Sequence, residues 1–166
     1  RLRDIDVLTL DEDDMREIRG SKIAMLFQDP HSALDPVFTI GDQMIELLQT
    51  RKGMSKRDAR ETSIKLLDRV GIASPEERMK AHPHELSGGI AQRVMVAMAV
   101  ALEPEVLLAD EPTSSLDVTV QAQVLDLLAS IVADTTMGMV LITHNLAVAV
   151  AIADRIAVMY AGRMVE

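Results

Sequence analysis

The 166-residue chain has no cysteine and no tryptophan, and its aromatic residues amount to two Phe and one Tyr. Without thiols it has neither a disulfide framework nor a thiolate metal site. The scarcity of aromatics removes the interleaved aromatic and basic side chains on which single-stranded nucleic acid stacks. A formal net charge of −9 disfavours a broad footprint on a phosphate backbone. Long hydrophobic runs are also missing: neither 94–102 nor 137–142 approaches the roughly 20 apolar residues of a membrane-spanning helix. The opening Arg1-Leu2-Arg3-Asp4 has no initiator Met and no apolar signal core, so the chain is expected to be a piece of a longer protein. Hydrophobic residues nonetheless make up 48% of the sequence, with 11 Met among them. The core is therefore expected to be built of Leu, Ile, Val, Ala and Met, in one domain of ordinary size.

Several apolar runs alternate with helical patterns. Residues 1–20 are charged and close on Arg-Gly, a helix stop, with the acidic residues 11–14 as a solvated helix start. Residues 22–27 predict a buried strand, ended by Gln28-Asp29-Pro30. Pro36 and Gly41 bracket a loop, and helices are expected near 41–50 and 56–70, the second capped by Gly71. A proline-containing loop over 74–85 leads to a helix of small residues at 88–102. Then come a buried strand at 106–109, an amphipathic helix at 118–133, a second buried strand at 139–143 and a short helix at 146–153. A last strand, 156–160, is turned by Ala161-Gly162. Continuous apolar strands alternating with helices predict an α/β domain with a largely parallel core sheet.

The strand at 106–109 runs into two adjacent carboxylates, Asp110 and Glu111. Strands of open α/β sheets deliver such residues to the carboxyl edge, where ligands bind. There Asp110 suits a Mg²⁺ shell and Glu111 suits polarising a water. Taken alone, the pair is an ordinary solvated strand end. Leu86-Ser87-Gly88-Gly89 stands just before a helix, and its bare amides and hydroxyl suit a phosphate. The plainer alternative makes Ser87 an N-cap. His144 likewise follows an apolar strand and could be satisfied by backbone, Gln28 could cap the turn before Pro30, and Asp117 is a natural N-cap. The Met residues near 95 and 98 read as core packing, and His82 and His84 as a surface loop without a metal.

Order and spacing separate these readings. Gln28, Leu86 to Gly89, Asp110-Glu111, Ser114-Ser115-Leu116-Asp117 and His144 follow one another in a series that resembles the ATP-binding-cassette (ABC) family. The parallels are its Q-loop, signature, Walker B strand, D-loop and switch histidine. Phe27-Gln28-Asp29-Pro30, Pro83-His84-Glu85-Leu86, Asp110-Glu111-Pro112-Thr113 and Asp117-Val118-Thr119-Val120-Gln121-Ala122-Gln123 look like the oligopeptide, dipeptide and nickel importer branch. The resemblance implies a P-loop NTPase-like ABC nucleotide-binding domain with a parallel core sheet and a helical signature subdomain, truncated at its N-terminus. It divides the chain into 28–104, the Q-loop and helical part, and 105–166, the Walker B, D-loop and switch-histidine part.

The resemblance also implies roles. Glu111 would act as general base and His144 would contact the γ-phosphate; Gln28 and Asp110 would serve the Mg²⁺. Ser87, Gly88, Gly89 and Gln92 would contact ATP held by the opposite subunit, and Asp117 would lie at the dimer seam. The implied partners are a second nucleotide-binding domain, membrane-spanning permease subunits and, indirectly, a solute-binding protein, with no nucleic acid. The implied place is peripheral, on the cytoplasmic face of the cell membrane, with residues 29–39 in the docking surface.

Two features depart from the family pattern. No Walker A string, GxxxxGK[ST], fits any of the eight glycines, and the first aromatic is Phe27, too late to stack on adenine. Truncation is the expected cause, and the chain by itself is expected to bind ATP weakly or not at all. Ile90-Ala91 stands where the branch has Met-Arg, so Ala91 is expected to weaken a contact across the dimer, and Asn145 stands where Asp is usual. Two other functions remain open at this point. One is a non-transport ABC ATPase: the short, heptad-free stretch from Gln28 to Ser87 argues against a DNA-acting member, whereas a ribosome-associated member, usually with two cassettes in one chain, stays open. The other is a non-catalytic interaction fragment.

Overall fold

A computed structural model describes all 166 residues. Three strands form one parallel sheet in the order β1-β2-β3: Ile23–Leu26, Val106–Asp110 and Gly138–Ile142. Ile23 pairs with Val106, and Val106 in turn with Gly138, so all three strands run to the same carboxyl edge. Parallel neighbours need crossover connections. The β2–β3 crossover is a single helix, whereas the β1–β2 crossover has grown into a helical layer.

That layer follows a first helix, α1 (Glu12–Ile18), capped by Asp11. It contains α2 (Pro30–Ala33), α3 (Ile40–Lys52), α4 (Lys56–Arg69), α5 (Pro75–Arg78), a 3-10 turn at Pro83–Glu85 and α6 (Gly88–Val100). Asp29, Thr39 and Ser55 each accept a backbone N–H at the start of α2, α3 and α4. At the end of α4 the chain reverses through Gly71, whose φ of +75° suits glycine. The first turn of α3 does not end in solvent. Its Ile40 and Gly41 amides donate to the carbonyls of Ala81 and Met79, which fastens the segment before the signature to the helical layer.

The centre of the molecule is α6. It is apolar nearly all round, as a buried helix must be, and it packs against α2, α3, α4, β1 and the later helix Val118–Ala133. Val94, Met95, Val96, Ala97 and Val100 join Leu26, Met44, Leu67, Leu107 and Leu128 in a contiguous core of 22 buried residues. The core is aliphatic throughout, as the composition predicts. Helix α7 (Val118–Ala133) carries β2 to β3, and α8 (Leu146–Ile152) follows β3. A two-residue hairpin, β4 (Met159–Tyr160) against β5 (Arg163–Met164), ends the chain. No helix is long and apolar enough to cross a membrane.

Four expectations change. The loop expected over 74–85 contains α5 and the 3-10 turn, both opened by prolines at positions where a missing N–H costs nothing. The strand expected over 156–160 shortens to Met159–Tyr160, with Val158 bonded to Val165 and Glu166 beside it, and it pairs antiparallel, outside the core sheet. The strand expected as buried at 139–143 has Val140 and Ile142 each 50% exposed, because these alternate residues share a face of β3 on which no helix packs closely. Ala91 is fully buried in the core, so it is a packing position with no surface from which to touch another subunit.

Candidate active site

Carboxylates reach the carboxyl edge where β2 ends. Asp110 is its last residue, paired with Ile142. Glu111 follows in a left-handed conformation, φ +43°, while its N–H still donates to the Ile142 carbonyl at 3.0 Å. A non-glycine residue held there carries a cost of about 1–2 kcal/mol, and such strain concentrates where geometry serves function. The turn lays the Glu111 side chain toward the segment after β3. Its Oε1 lies 2.8 Å from His144 Nδ1. An ionised carboxylate only accepts, so Nδ1 is the donor. The imidazole is 75% exposed against 28% for the Glu111 side chain, so a ligand approaching the edge meets the ring first.

The pair borders a cavity of about 120 Å³ with no hydrophobic residue in its wall. Ser114 donates its hydroxyl to the Glu111 carbonyl at 3.2 Å, and the Thr143 hydroxyl accepts the Asn145 amide at 3.0 Å. The Asn145 carboxamide oxygen accepts the Ala147 and Val148 amides and caps α8. Asparagine thus does the capping work of the usual aspartate without its charge. The remaining wall comes from Thr113 and from Gln121 of α7.

The other expected site residues lie outside this cavity. Asp110 and Gln28 stand at the same sheet edge, at the ends of β2 and just past β1, and neither borders the cavity. Asp110 is the last residue of β2 and Glu111 the first of the left-handed turn beyond it, and only Glu111 borders the cavity. No three His, Asp or Glu residues gather in a group able to hold a metal. Asp110 and Gln28 still present hard oxygen donors with no protein partner, which fits an ion such as Mg²⁺ that takes most of its ligands from phosphate and water.

Ser87 occupies the N-cap position of α6, but its hydroxyl makes no capping bond. The first α6 bond runs from Ala91 N–H to Ser87 C=O, leaving the preceding amides unbonded at the positive end of a 13-residue helix. Gly88 and Gly89 therefore offer bare donors, which fits a phosphate. Gly89 has a packing role as well, since a Cβ there would sit 2.6 Å from Val120 Cγ1. Asp117 caps α7, accepting from Thr119 at 3.1 Å and Val120 at 3.0 Å. Gln92 differs from its expected role. It lies fully buried with both carboxamide atoms unbonded, so it has no face open to a nucleotide. Its position three residues beyond Gly89 turns it into the core.

Thr113, Ser114 and Gln121 lie within strings that resemble the family, but those strings do not mark them as lining this cavity, and Thr143 lies in no such string. The available signal for Gln121 was its place one helical turn after Asp117, on the same face of α7.

The groups that shift lie elsewhere. The His82 N–H, donated at 2.7 Å, holds Glu85 below the usual carboxylate range, and the Lys52 ammonium at 2.8 Å does the same for Glu103.

A parallel α/β layer with a carboxylate and an imidazole meeting at its carboxyl edge, beside a helix that opens on Ser-Gly-Gly, defines a phosphate-handling domain. The chain belongs to the ABC transporter family, whose profile matches residues 3–114. It is similar to the dipeptide transport ATP-binding protein DppD of Bacillus subtilis, 51% identical over 161 residues, or 97% of this chain and 48% of that one. Among solved structures it is similar to the ATP-binding cassette MJ0796, seen as a dimer in a post-hydrolysis state with ADP and phosphate. That likeness has a TM-score of 0.74 and 31% identity, covering 87% of this chain and 62% of the other. It is also similar to CbiO1 of Clostridium perfringens, part of an ABC transporter complex, with TM-score 0.76 and 27% identity over 93% and 58% of the two chains. The chain spans about half the length of the curated relatives it matches.

Proposed function

We propose that this chain supplies the hydrolytic machinery of an ATP-binding subunit that energises a peptide-type ABC importer, one for oligopeptides, dipeptides or nickel. The observation that carries the reading is the 2.8 Å contact between Glu111 Oε1 and His144 Nδ1 at the sheet's carboxyl edge. In it, Glu111 orients a water and takes its proton, while His144 holds the carboxylate in place and presents its other nitrogen to the terminal phosphate. Phosphoryl transfer needs little covalent help, so positioning and electrostatics supply the catalysis. Ser87, Gly88 and Gly89 bind ATP held by a second copy or a related domain, and Asp117 lies at that seam. Gln28 and Asp110 would hold the Mg²⁺. When bound, the ion neutralises phosphate charge.

Partners follow from the same reading: a second nucleotide-binding domain, two membrane-spanning permeases and an external solute-binding protein, which chooses the solute. The subunit would sit peripherally on the cytoplasmic face of the membrane. Val37 and Phe38, 72% and 52% exposed in the loop before α3, support residues 29–39 as the permease contact. The peptide-type assignment is supported by the names of the relatives.

Glu111→Gln in the whole gene product tests the reading. Hydrolysis is expected to fall by about 10²–10⁴-fold, the usual worth of a general base, with ATP binding retained. Unchanged turnover would overturn it.

A further inference from the structure

We infer that Gln121 is a positioning residue that ties the first turn of α7 to the Glu111–His144 pair, an inference that rests on the hydrolytic reading of that pair. Most of the cavity wall is committed locally. Ser114 bonds the Glu111 carbonyl, Thr143 bonds Asn145, and Asn145 caps α8. Gln121 reaches the cavity from a different element, and its carboxamide is bonded to no protein group. By contrast Gln123, two residues on, accepts from Arg93 at 3.3 Å. A carboxamide carries two donors and an acceptor oxygen, so it complements both a carboxylate and an imidazole. The cavity of about 120 Å³ has room for a water to bridge the carboxamide and the pair.

The connection back to the helix start is short. Asp117 accepts the Thr119 and Val120 amides, and its own carbonyl accepts the Gln121 amide at 2.8 Å. Residues four apart share one helix face. Displacing Asp117 at the seam therefore turns the first turn of α7 and carries Gln121 with it. The geometry of Glu111 and His144 is in this way made sensitive to whether a partner is seated against Asp117.

The test is steady-state ATP hydrolysis by the whole gene product. Gln121→Leu keeps the volume and removes the carboxamide. It is expected to lower kcat on the order of ten-fold, within what small misplacements cost, while KM for ATP stays within about two-fold and the thermal midpoint is unchanged. Gln121→Glu, nearly isosteric, is expected to lower kcat as well, because a second carboxylate faces Glu111. Combined with Asp117→Ala, the Gln121→Leu loss is expected to be less than multiplicative, as for two parts of one relay. An unchanged kcat in Gln121→Leu, a loss that merely follows the folded fraction, or fully multiplicative effects would overturn the inference. If instead Glu111→Gln hydrolyses ATP like the parent, the hydrolytic reading itself fails, and that outcome is separate from any result at Gln121.

Discussion

Single side chains carry two unequal kinds of constraint in this molecule. Glu111 is held at φ +43°, where nearly any other side chain would be equally strained, so its backbone answers to the β2–β3 edge and, on the proposed reading, its identity to chemistry. Gly89 answers to space. A methyl at that position meets Val120 Cγ1 at 2.6 Å, and a β-branched neighbour has little freedom to rotate away. Gly89→Ala should therefore push α6 off α7 and cost about 1–3 kcal/mol, read as a lower urea midpoint. Gly88, whose added Cβ would meet Leu116 Cδ2 at an ordinary 3.5 Å, should tolerate the same change with little loss of stability. Equal losses at both glycines would contradict this. Ala91 and Gln92 belong to the interior, and string matching could not reveal it, because a signature motif does not say which way each side chain of its helix faces.

At the scale of elements, the sequence was most legible where caps and period agree. Helix α7 runs over the expected 118–133 because Asp117 starts it, and α4 ends beside Gly71 as expected. Legibility failed where length is short or neighbours decide. The four-residue α5 offers no period to detect, and β3 has the apolar run of a buried strand although no helix packs closely on one of its faces. The Glu111–His144 contact was legible through the order of motifs, whereas Gln121 needed the three-dimensional placement of α7. Between elements, Lys52 at the end of α3 bonds Glu103 beyond α6. Glu103 titrates below its usual range when folded. Its stabilisation is therefore complete above the unfolded value, about 4.3, and is lost as pH falls through the lower, folded one. Lys52→Met should be less stable than the parent at pH 7 by at most about 1 kcal/mol, since the carboxylate is largely exposed. The gap in urea midpoint should narrow progressively as pH falls below that unfolded value; a gap of unchanged size in acid would show that the stem of Lys52, and not the ion pair, is what matters.

Across the whole molecule, order is uneven. The central α6 and β2 sit in the 22-residue core, whereas α8 buries no residue and Val140, Ile142, Leu146, Val158 and Met159 are exposed. Hydrogen exchange follows local opening, so the bonded amides of 91–100 and those of 106–110 should exchange slowest in this 166-residue chain and those of 146–166 fastest. Uniform protection to the C-terminus would contradict that picture. Glu111 and His144 straddle the boundary between these regions, one on the well-packed β2 and the other past the open-edged β3, so their contact depends on the two staying in register. The most direct test of the account is single-turnover ATP hydrolysis by the whole gene product carrying Glu111→Gln, His144→Ala or both. Residues acting as one unit are not additive: the double variant should be about as slow as the slower single one. A double variant slowed by the product of the two separate losses would mean that the pair does not work together.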